Sequence, residues 1–178
     1  MPSSWDRWSL TAAAAGVWLP GLFLLRYVAH SVSGRNGSGA SALIGFFVAF
    51  LLCLVVLRLV WWLPYRGVRA WIWTSVVVLC SCGAIVWIAT ALSNSITADI
   101  GNDLIWSALW GLVSGAPIAA VYGALGGFLI GVTARAGGAL GGQSQRPWVL
   151  AVCSGLLFLA GAGGVAYFVL TDVWPGPS

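Results

Sequence analysis

Ser107, Gly111, Gly115, Ala119, Gly123, Gly127 and Gly131 recur four residues apart through a stretch, 105–135, that is otherwise mostly Leu, Ile, Val, Ala, Phe and Trp. Small residues at that spacing let two helix backbones approach closely in lipid, where no hydrophobic force drives helices together. This glycine-zipper pattern predicts a membrane helix shaped to be packed against. It is a packing signal and carries no chemistry of its own.

The composition points the same way. Of 178 residues, 60% are hydrophobic and 7% are charged, against roughly 25% charged in a soluble domain. The charged residues are eight Arg and four Asp, with no Lys and no Glu. The fold class expected is an all-α, polytopic membrane protein forming one transmembrane domain over 1–178. The net charge of +4 is read as topology and not as a nucleic-acid footprint, because the Arg residues are scattered between apolar spans.

Five spans are expected, over about 10–29, 42–63, 70–92, 104–134 and 147–173. The first holds Pro20, expected to kink it, and near its far end Arg26 and His30 share one helical face four residues apart. Those two are the candidate polar contacts with a partner or ligand, since charges inside a membrane are functional candidates; plain snorkelling to the interface is the competing reading. The third span carries Ser81 as the strong polar group of its middle, and its polar tail, 93–103, reads as a solvated loop. The fourth is long: thirty residues of helix rise about 45 Å, against a hydrocarbon core about 30 Å thick. Tilt, a kink or a break must absorb the excess, and Ser114-Gly115-Ala116-Pro117 is the place for a possible break, because Pro117 has no donor for the carbonyl of Val113. Four residues advance about 400° around a helix, so a single straight partner can use only three or four of the seven small residues. After it, 134–146 reads as a mobile Gly-rich loop, and Pro147 suits a helix start.

Arg66, Arg69, Arg135 and Arg146 fall in the connections after spans two and four, and Asp99 and Asp103 in the connection after span three. The positive-inside bias then places the N-terminus in the cytoplasm and the C-terminus outside, in the inner (plasma) membrane of a bacterium. Arg26 and Arg35 dissent from that rule.

Catalysis inside lipid needs titratable groups or metal ligands aimed at a shared point. The chain has one His, no Glu, no Lys and no Asp clearly within a span. Cys80 and Cys82, two apart, point about 200° away from each other on a helix, so they do not form a metal or redox pair. No catalytic residue, metal or cofactor is expected, and the motifs identify no family. The function expected is a non-catalytic integral membrane subunit of a larger respiratory, photosynthetic or transport complex. The alternative is a small homo-oligomeric channel or transporter with a midplane site near the Gly115–Pro117 break. The partners expected are the lipid bilayer and other membrane subunits or copies of itself, with no nucleic acid. On the ridge Gly111, Gly115, Ala119, Gly123, Gly127 and Gly131, replacing Gly127 by Leu is expected to hold a neighbour away and replacing it by Ala to be mild.

Overall fold

A computed structural model describes residues 4–33, 51, 67–98, 103–141 and 144–173. They form α1 (Ser4–Ser33), α2 (Val68–Ala98), α3 (Asp103–Ala136), a 3-10 turn (Ala139–Gly141) and α4 (Pro147–Val173). Each helix holds a stretch long and apolar enough to cross a membrane: Ser4–Leu25, Val68–Ile85, Val113–Ala136 and Pro147–Tyr167. The expected span over 42–63 lies outside the described residues, apart from exposed Leu51.

Contacts between the helices fix their directions. Gly131 meets Val68 and Gly115 meets Trp87, so α3 runs antiparallel to α2. Gly126 meets Val17 and Gly21 meets Tyr122, so α3 is antiparallel to α1 as well. Gly16 meets Phe158 and Gly164 lies near Pro20, so α1 and α4 run parallel. The core lies between α1, α2 and α3, around Trp18, Leu22, Leu25, Leu79, Cys82 and Ala119. Leu150 of α4 and Ala139 of the turn close it at one end.

Three expectations are corrected. The polar tail after the third span does not all form a loop: α2 continues through 93–98, because extending an existing helix adds one hydrogen bond per residue fixed and neither Gly nor Pro intervenes before Gly101. Asp103 likewise is the first residue of α3, while Asp99 lies outside the described residues. The fourth span does not break, since α3 is continuous through Pro117. That proline and Val113 are both exposed, so the ring and the carbonyl it leaves without a donor fall on the outer side of the helix. The described part of the Gly-rich segment after α3 is held by backbone hydrogen bonds. Gly137 and Gly138 donate to the carbonyls of Thr133 and Arg135 (3.0 and 2.9 Å), and Arg146 donates to the Gly137 carbonyl at 3.0 Å. Gly138 has φ 70°, the left-handed helix ending that glycine adopts without a Cβ penalty.

Candidate functional site: the glycine seams and the arginine end

The small-residue row faces inward, along α2. A Cβ on Gly123 would lie 2.8 Å from Val76 Cα and 2.9 Å from the Ser75 carbonyl oxygen. On Gly127 it would meet the Trp71 carbonyl oxygen and lie 2.6 Å from Ile72 Cα; on Gly131, 3.0 Å from Val68 Cα. These three positions touch backbone. Farther along, the contact is with side chains: Ala119 is buried opposite Gly83, and the Trp87 indole lies over Gly115 at 2.7 Å from where a Cβ would be. The 40° drift per step accounts for the change. Two steps, from Gly123 to Gly131, stay within reach of one backbone; beyond them the surfaces diverge, and a large indole fills the gap. Trp87 leans back along its helix as helical side chains do, which brings it level with Gly115. Gly111 lies on α3 just before these contacts, and its own surroundings lie outside the described residues.

The seam is therefore intramolecular, and it is tighter than the sequence implies. Alanine at Gly127 is expected to be costly and not mild, because the methyl carbon itself would meet the α2 backbone. Gly126, next in sequence, faces α1 instead, where a Cβ would strike the Val17 side chain. Adjacent glycines thus serve two different neighbours.

A second seam joins α1 to α4. Pro20 has no N–H for the carbonyl of Gly16, one turn earlier. That oxygen lies against Gly161, where a Cβ would be, so the Gly161 Cα–H points at it. Contacts of this kind recur at close helix crossings, and α1 stays helical through Pro20. Beside the crossing lies an apolar groove of about 330 Å³ between the two helices, lined by Ala15, Leu19, Phe158, Ala162 and their neighbours.

Two polar links complete the framework, and sequence reasoning missed both. Trp18 Nε1 donates to Ser75 Oγ at 3.1 Å, with both residues buried; Ser81, the polar group that stands out in the middle of α2, is exposed. Asp6, fully buried, accepts from the Ser144 hydroxyl (2.5 Å) and from its backbone N–H (3.2 Å). One signal for Asp6 was available: a chain with four acids that buries one of them has to supply its donors.

Arg26 and His30 occupy the last two turns of α1, and their side chains lie outside the described residues. Cys82 is buried in the core, while Cys80 makes a weak contact from its thiol to the Ala116 carbonyl (3.9 Å). Among the described residues, no three His, Cys, Asp or Glu side chains group where they could hold a metal.

This chain matches no protein-family model, no curated protein and no solved structure. Four long apolar helices among the described residues place it in the class of multi-pass helical membrane proteins.

Proposed function

We propose that the chain is a non-catalytic, five-span subunit that docks on other membrane subunits, or on copies of itself, through the outer face of α4. The observation that carries this reading is the position of two glycines. Gly16, Gly21, Gly83, Gly115, Gly123, Gly126, Gly127, Gly131 and Gly161 each meet a neighbour closely within the bundle, whereas a Cβ on Gly155 or Gly163 would meet nothing within 4 Å. Glycine inside a helix costs about 1 kcal/mol relative to alanine. Outward-facing glycines offset that cost only where another backbone comes close. Leu159, 66% exposed, lies between them at the same four-residue spacing, giving a small–large–small ridge.

Five spans are favoured because α1 leaves the bundle at the end opposite to the one where α2 enters, and 42–63 is an apolar stretch of spanning length between them. Arg69, Arg135 and Arg146 cluster at the end where α1 starts. The positive-inside bias then makes that end cytoplasmic, with residue 178 outside. The alternative, a small homo-oligomeric channel or transporter with a midplane site near Gly115–Pro117, is less favoured, since α3 is continuous there and Trp87 lies over Gly115.

The test is a photo-crosslinking amino acid placed at Leu159 and, for comparison, at Val121 on the outer side of α3, followed by irradiation of native membranes. A discrete protein adduct or self-dimer from position 159 and not from 121 supports the reading. Lipid adducts alone from both positions reject it.

A further inference from the structure

We propose that the end of the bundle where α1 starts carries a binding surface for anionic-lipid head groups, built from Arg69, Arg135 and Arg146 above a girdle of exposed tryptophans. The three arginines are distant in sequence and are brought together by the fold. Gly131 meets Val68 in the antiparallel pair, which places Arg135 about one and a half helical turns from Arg69 along the axis. Gly138 donates to the Arg135 carbonyl and Arg146 to the Gly137 carbonyl, so the turn holds the backbones of those two arginines near each other. All three are exposed.

Depth is set by the aromatic residues. Trp5 and Trp8 on α1, Trp73 on α2 and Trp148 on α4 are 61–71% exposed and lie within the first two turns of their helices, all at this end. Tryptophan in that arrangement settles at head-group level. Arg69 and Trp73 share one face of α2, four residues apart, so the guanidinium sits about 6 Å farther out than the indole. That is the level of lipid phosphates.

Charge selects the kind of lipid. Asp6 is the sole acid at this end among the described residues, and it is buried against Ser144, away from the surface. A zwitterionic head group brings its own cation to a phosphate, whereas an anionic one leaves its charge to the protein. Each arginine also presents a planar fork of donors that fits a phosphate better than an ammonium does. The other end is mixed in sign: Asp103 opens α3 there, Asp172 lies in the last turn of α4, and Arg26 and His30 end α1.

The experiment uses the full chain in vesicles, with its own tryptophans quenched by brominated phosphatidylglycerol or by brominated phosphatidylcholine at equal mole fraction. Each basic residue near a charged surface contributes about five-fold in binding, so a preference of ten-fold or more for phosphatidylglycerol is expected at low salt, shrinking as salt rises. The triple variant Arg69→Gln, Arg135→Gln, Arg146→Gln should bring the ratio close to one, and Arg26→Gln, at the other end, should leave it unchanged. Equal quenching by the two lipids on the unaltered chain overturns the proposal without recourse to any variant. It is overturned equally if the triple variant keeps the preference, if Arg26→Gln abolishes it, or if inorganic phosphate at matched ionic strength erases it, since the surface would then be one for free phosphate.

Discussion

The carbonyl oxygen of Gly16 sits against Gly161, at the point where any other residue would place its Cβ. Pro20 creates the need by withholding a donor from that carbonyl, and Gly161 meets it from a different helix. Gly161→Ala should therefore force α1 and α4 apart and lower stability by about 1–3 kcal/mol, the usual cost of overpacking. Gly163→Ala, two residues away with nothing nearby, should be neutral or slightly stabilising. Thermal unfolding in detergent separates the two; equal melting temperatures would mean the crossing is not close.

Asp6 should control the order of the turn that follows α3. Asp6→Ala removes the acceptor for both Ser144 donors and leaves a partly buried N–H without its partner, at about 1 kcal/mol. Ser144→Ala, which keeps the backbone donor, should cost less. Hydrogen exchange over 137–146 is the readout: faster in Asp6→Ala than in Ser144→Ala, and slowest in the unaltered chain. Unchanged exchange in Asp6→Ala would mean that backbone bonds alone hold the turn.

The Trp18–Ser75 bond fixes the level of α1 against α2. Trp18→Phe removes the donor and keeps most of the packing, so a loss of about 1 kcal/mol is expected, typical of one buried hydrogen bond in water-soluble and membrane interiors alike. Ser81→Ala, at an exposed position on α2, should change nothing measurable. Chemical denaturation in mixed micelles checks both, and a larger effect at Ser81 would reverse the assignment of roles.

The sequence makes legible whatever depends on local composition. The apolar runs locate the four described helices, and Pro147 marks the start of the last one; Gly115, Ala119, Gly123, Gly127 and Gly131 of the row lie along α2. What it hides depends on distance along the chain. Asp6 and Ser144 are 138 residues apart, and no local pattern joins them, so the segment after α3 reads as mobile when its described part is held. Pro117 suggests a break because sequence cannot say which side of a helix faces out; on the outer side, the lost donor is tolerated. The closeness of the Gly127 seam is hidden for the same reason. Spacing shows that a neighbour is expected, but not that the neighbour's backbone is already where a methyl group would go.

That seam is the centre of the account, and Gly127 tests it most directly. The measurement is thermal unfolding of the purified chain in detergent for Gly127→Ala, Gly127→Leu and Val132→Leu, the last on the exposed side of α3. Gly127→Ala is expected to lose about 1–3 kcal/mol, since its Cβ would meet the Trp71 and Ile72 backbone, or roughly 2–12 °C at the 2–4 °C per kcal/mol typical of a chain this size. Gly127→Leu is expected to lose more, and Val132→Leu to melt with the unaltered chain. All three variants should reach the membrane at normal levels, because Leu and Ala are better membrane residues than Gly. If Gly127→Ala and Gly127→Leu melt together with Val132→Leu, α2 and α3 do not meet at their backbones, and the glycine row is not an internal seam.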